Sequence, residues 1–129
     1  MKERAKRKIL VGSNDALLRS SILGLLSVEL EYEVHLESNG AAIVAAAERH
    51  RFDLALISDD LQDCQPHTLC AAMSNVGFEQ PIVLLSATGA ESAVVRGLES
   101  GALDYITTPF NGAVLLARLR AHMRGVMPR

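Results

Sequence analysis

The sequence predicts one α/β domain, a (βα)5 doubly wound parallel sheet. Three observations predict it. Apolar runs of strand length begin near residues 8, 32, 53, 81 and 103. A helical stretch follows each of them. Two of the runs, residues 53–58 (DLALIS) and 81–86 (PIVLLS), are apolar almost throughout, as strands covered by helices on both faces must be. The 129 residues suit a single domain, and an apolar fraction of 49% is enough for one core.

Residues 8–12 (KILVG) form the first run and end in Gly12. Residues 15–28 place Leu17, Leu18, Ile22, Leu25 and Leu26 at helical spacing. Residues 32–37 alternate Tyr32, Val34 and Leu36 with Glu33, His35 and Glu37, the pattern of an edge strand with one exposed face. Residues 39–50 are Ala-rich, and Asn39 suits an N-cap. Pro66 suits the first turn of a helix over 66–76. Residues 90–100 read as a helix stopped by Gly101, and 103–107 as the fifth strand. Asn111 caps a last helix that runs to about residue 124, with Val114, Leu115, Leu119 and Met123 inward. Right-handed crossovers leave few arrangements, and the flavodoxin-like order 2-1-3-4-5 is the common one. Its functional crevice lies outside the C-terminal strand ends, so the loops starting at Ser13, Ser58, Ser86 and Thr107 matter most.

A net charge of −2, two Tyr, three Phe and no Trp offer no charged or stacking surface for nucleic acid. No run approaches the roughly 18 apolar residues of a membrane span, and the N-terminus lacks the apolar segment of a secretion signal. The expectations are a cytoplasmic location, no membrane partner and no direct nucleic-acid binding. Residues 1–7 read as a basic, solvated arm. Cys64 and Cys70 fit no paired metal-ligand spacing and read as reduced thiols. His35, His50, His67 and His122 are scattered surface or boundary residues. Gly12-Ser13 belongs to neither a phosphate-loop nor a nucleophile-elbow pattern. No nucleophile, base and orienting group can be assembled, so no catalytic residue and no enzymatic activity is expected.

The stretch 81–124 reads PIVLLSATGAESAVVRGLESGALDYITTPFNGAVLLARLRAHMR. With this stretch as its most telling part, the sequence from about residue 8 to 124 resembles the receiver domains of bacterial two-component response regulators, the CheY-like family. Within 81–124, PIVLLSA, GLESGALDYIT and LLARLRA look like the OmpR/PhoB subfamily of transcription factors. The resemblance implies a phosphoryl-accepting crevice, and there the chain departs from the pattern. The family's acidic pair falls on Ser13 and Asn14, and its acceptor Asp on Ser58. Its Lys before a Pro falls on Thr108, and a Pro just past the acceptor on Gln62. Two switch positions are kept, as Ser86 and Tyr105.

An acyl phosphate needs a carboxylate nucleophile, Mg²⁺ held by oxygen ligands and a cation on the phosphoryl oxygens. Ser58 cannot form one, Ser13 and Asn14 bring no charge for Mg²⁺ (Asp15 lies nearby), and Thr108 brings no cation. Removing carboxylates beside a partly buried Lys would cost several kcal/mol, and that Lys is absent too. The expectation is a pseudo-receiver that is not phosphorylated. Ser13, Asn14, Ser58, Ser86 and Thr108 would form a neutral polar cluster, with weak or no Mg²⁺ binding and no cofactor. Asp59 and Asp60 follow the acceptor position. Period-2 geometry turns Asp59 to the opposite face, so recruiting a neighbouring Asp as acceptor would take a bulge.

The resemblance also implies a cis bond before Pro109 and a dimer face made of the fourth helix, fifth strand and fifth helix. Asp104 and Arg118 match one intersubunit ion pair of that face. Val94 and Val114 stand where the subfamily places opposite charges. Exposed ion pairs contribute about 0–1 kcal/mol, whereas apolar burial contributes about 25 cal/mol per Å². The expected partner is a second copy through this face, or another signalling protein. Residues 125–129 read as the start of a linker to an output domain, through which DNA could be bound. A stand-alone adaptor and a ligand-binding flavodoxin-like domain are the alternatives.

Overall fold

A computed structural model describes residues 6–28 and 31–124. Five strands, β1 (Arg7–Gly12), β2 (Tyr32–Glu37), β3 (Leu54–Ser58), β4 (Ile82–Ser86) and β5 (Asp104–Thr107), form one parallel sheet in the order β2-β1-β3-β4-β5. Between and after them run α1 (Ala16–Ser27), α2 (Gly40–Arg49), α3 (Pro66–Asn75), α4 (Glu91–Glu99) and α5 (Gly112–Met123). This is the fold and strand order the sequence predicts, with β2 at the sheet edge. β1 starts at Arg7, inside the stretch read as a basic arm, because Arg7 pairs with Tyr32. Residues 1–5 of that arm and the linker reading of 125–129 lie outside the described residues.

Local chemistry explains the helix starts. The Asp15 carboxylate accepts from the Leu17 and Leu18 N–H groups at 2.9 and 3.3 Å, ahead of α1. Asn39 accepts from Ala42 N–H at 2.8 Å and Asn111 from Val114 N–H at 3.0 Å. Pro66 opens α3 in the first turn, where its missing N–H costs nothing. Gly101 follows the end of α4 with φ +112°, a left-handed turn that glycine adopts without strain.

Strand alternation divides the core into two layers. Leu10, Ala55, Ile57 and Leu84 pack with Ile43 of α2 and Leu69 and Met73 of α3. Val11, Leu54, Leu56, Val83 and Leu85 pack with Ile22 and Leu26 of α1 and Leu115, Leu119 and Met123 of α5. Two expected core residues point outward: Leu17 is 79% exposed and Val114 48%. The α5 stripe 115/119/123 recurs every four residues, and Val114 lies about 100° around the helix from it. Leu17 likewise sits beside the 18/22/26 stripe of α1, at its capped end.

Candidate functional site

The C-terminal ends of β1, β3, β4 and β5 open onto one crevice, and the chain fills it with its own polar groups. Ser13, just past β1, is fully buried. Its hydroxyl donates to Asp60 Oδ2 at 2.8 Å and accepts from Asp15 N–H at 3.0 Å. Asn14 N–H donates to the other oxygen of Asp60, Oδ1, at 2.9 Å. Ser58 ends β3 and is 4% exposed, in register with Leu85 of β4. The Ser86 hydroxyl donates to Asp59 Oδ2 at 2.5 Å. Thr108 N–H donates to the Ser86 carbonyl at 2.8 Å, which seats Thr108 at the same rim, and the bond from Thr108 to Pro109 is cis.

The five residues named from the sequence, Ser13, Asn14, Ser58, Ser86 and Thr108, all stand at C-terminal strand ends, but their side chains do not bond one another: Ser13 and the Asn14 N–H bond Asp60, Ser86 bonds Asp59, and Ser58 lies on the side opposite Ser86. The neutral cluster expected of them is corrected: two carboxylates, Asp59 and Asp60, enter it. Alternation does send Asp59 to the side opposite Ser58. That is the side Ser86 occupies, so the carboxylate meets a hydroxyl there. β3 ends at Ser58, and past it the turn carries Asp60 back over β1. Arg19 was also missed: its guanidinium donates to the Ser13 carbonyl at 2.6 Å, one helical turn past the Asp15 cap. The signal for the two acids was their position, directly after a buried strand at its C-terminal end.

A neighbouring acid fixes the loop after β3. Asp63 accepts from Gly40 N–H at 2.7 Å and Ala41 N–H at 3.0 Å, at the start of α2. These two donors hold its carboxyl below the ordinary range. Cys64 and Cys70 are free, and burial pushes both thiols up. Among the described residues no three His, Cys, Asp or Glu side chains are grouped to hold a metal.

From Ser86 the polar contacts continue to the next face. The Ser86 hydroxyl accepts from Thr88 N–H at 3.1 Å, and Tyr105 donates its phenol proton to the Thr88 carbonyl at 2.8 Å. The Tyr105 ring lies under α4, where a Cβ on Gly97 would stand 2.7 Å from its Cδ2. Val94 and Val114 line one shallow cleft of about 320 Å³ with Tyr105, Pro109, Phe110 and Arg118. Leu98 and Leu103, 42% and 55% exposed, add to the apolar character of this side.

Asp104 and Arg118, expected to bridge two subunits, bond within one chain at 3.1 and 3.2 Å. His122, read as an ordinary boundary residue, meets the same carboxylate at 2.8 Å. Burial works against the Asp104 charge. Hydrogen bonds with His122, with Tyr105 N–H and with Arg118, and the Arg118 charge, outweigh it and hold its carboxyl below the ordinary range. A lowered carboxyl contributes stability above its unfolded value and loses it as pH falls through the folded value. Asp104→Asn is therefore expected to flatten the acid limb of stability against pH, read by urea unfolding at a series of acid pH values. An unchanged limb would contradict the pairing.

The chain matches the family model for the response regulator receiver domain over residues 9–120. It is 35% identical over 126 residues to a probable transcriptional regulatory protein of Picosynechococcus, covering 92% of this chain and 50% of the relative. It is 31% identical over 121 residues to the response regulator MprA of Mycobacterium leprae, covering 94% and 53%. The chain thus spans about half the length of these curated relatives. Among solved structures, a two-component response regulator from Clostridium difficile superposes with a TM-score of 0.87 at 26% identity, covering 95% of this chain and all of that one. The chain belongs to the response regulator receiver domain family.

Proposed function

We propose that this chain is the signal-receiving part of a transcriptional response regulator and that it acts through protein contact, without aspartyl phosphate and without catalysis. The observation that carries the reading is the crevice. A hydroxyl, Ser58, stands at the end of β3 where an acyl phosphate needs a carboxylate. Thr108 brings no cation to the rim. Both oxygens of Asp60 already accept hydrogen bonds, from Ser13 and Asn14, and Asp59 is engaged by Ser86. The donor set does not fit Mg²⁺: the positions of the acidic pair hold a hydroxyl and an amide, and the nearby carboxylates each already accept within the chain, Asp15 from the α1 amides, Asp60 from Ser13 and Asn14, and Asp59 from Ser86.

The relatives are about twice as long as this chain, which supports an output domain beyond it, with any DNA contact made there. No helix of the described residues is long and apolar enough to cross a membrane, in keeping with the cytoplasmic location we assign. The partner is a second copy through α4, β5 and α5, where Val94 and Val114 line one cleft and, across the dimer, would replace an ion pair by apolar contact.

The test is intact mass after incubation with acetyl phosphate and Mg²⁺. The expected result is no phosphoryl adduct. An adduct on the wild type that disappears in Asp59→Asn or Ser58→Ala would overturn the reading and name the acceptor. Light scattering without any phosphodonor is expected to show a dimer that Val114→Asp dissociates. Monomer in both would remove the homodimer.

A further inference from the structure

We infer that Asp59, at the exposed rim of the crevice, fixes the position of Tyr105 through Ser86 and Thr88, so that the face made by α4 and β5 is set by the chain itself. The inference rests on the reading that no phosphoryl group enters the crevice. Its basis is a continuous set of hydrogen bonds. Asp59 Oδ2 accepts from the Ser86 hydroxyl at 2.5 Å, the shortest polar contact in the crevice. A hydroxyl has one proton, so this bond decides the rotor of Ser86 and turns its lone pairs toward Thr88 N–H, 3.1 Å away. The Thr88 carbonyl then takes the Tyr105 phenol at 2.8 Å. A bond from hydroxyl to charged carboxylate is about twice as strong as a neutral one. Asp59 is thus the strong end of the relay and Tyr105 the reporting end.

Two further observations make the phenol's position consequential. The ring fills the space under Gly97, the one buried residue of α4, so its orientation and the seat of that helix are tied. Asp59, Thr88 and Tyr105 also share one cleft of about 430 Å³ between α3 and α4, with Arg96 on its wall. A change at Asp59 therefore has a physical route to the outer face that does not pass through the core.

Asp59 acts here as a positioning residue, and its test reads Tyr105 directly. The protein has two tyrosines, so ring-labelled tyrosine gives two NMR signals, with Tyr32 on the opposite edge strand as internal control. Asp59→Ala and Ser86→Ala are each expected to shift the Tyr105 ring signal while Tyr32 stays. The double variant is expected to shift it no further than either single one. Asp59→Asn, which keeps an acceptor oxygen, is expected to move the signal back toward the wild type, and Asp60→Ala to leave it unmoved. An unmoved Tyr105 in Asp59→Ala overturns the inference, as does a double variant whose shift is the sum of the two. Asp59 is exposed, so its variants fold even where Ser86→Ala does not. The acetyl phosphate experiment on the same samples separates the two readings. An adduct overturns the phosphate-free function, whereas a silent Tyr105 with no adduct overturns the relay alone.

Discussion

Leu56→Ala is expected to lower the unfolding free energy by about 2–5 kcal/mol, the largest loss among the single changes considered. Leu56 is fully buried in the middle of β3, in register with Val11 of β1 on one side and Val83 of β4 on the other. Its side chain fills the layer roofed by α1 and α5. Truncation removes transfer free energy and leaves a cavity that three central strands, locked by their ladders, cannot close. Leu56→Met, which conserves volume, should cost less than about 1.5 kcal/mol. Denaturant unfolding of the two variants measures both. Near-equal losses would mean that the site collapses freely around the cavity.

Asp60→Ala is expected to cost about 1–3 kcal/mol, large for a residue outside the core. The loss comes from its partners: the Ser13 hydroxyl is fully buried and would keep a proton with no acceptor, and Asn14 N–H would lose its bond as well. Asp60→Asn retains an acceptor oxygen and should recover part of the loss. The comparison of the two by thermal or urea unfolding isolates the hydrogen bonds from the packing. An Asp60→Ala variant as stable as the wild type would show that water replaces the carboxylate at no cost.

The fold was legible because it depends on features a single chain displays. Residues 53–58 and 81–86 carry the apolar content of doubly covered strands, and Asn39, Pro66, Gly101 and Asn111 punctuate the helices where they stand. The rim residues Ser13, Ser58, Ser86 and Thr108 were legible for the same reason, since they follow from strand ends and from the family pattern. Asp59 and Asp60 were left out of the site because alternation gives the side a residue leaves from and not the partner it meets. Asp59 still extends the ladder, its N–H bonding the Leu85 carbonyl, and from there on each carboxylate is placed by the donors it finds. Those donors, Ser86 on one side and Ser13 and Asn14 on the other, are distant in sequence. Arg19 and His122 were missed for a related reason. Long side chains reach partners two turns or a whole element away, and helical spacing tells which face they leave from but not where they arrive.

The thin seating of α4 has a consequence for how the molecule opens. Gly97 is the single buried residue of that helix, and its first turn has no side-chain cap. Its tie to the sheet is a glycine against the Tyr105 ring and the end of Leu84, where α3 and α5 sink leucines and methionines into the core. Such an element belongs to the low end of the local stability range and opens without the rest of the domain unfolding. Amides of α4 would then exchange with solvent through excursions far cheaper than those that expose β3 or β4. A partner that binds this face meets a helix whose ordering it can complete, and the free energy of that ordering becomes part of what distinguishes one partner from another.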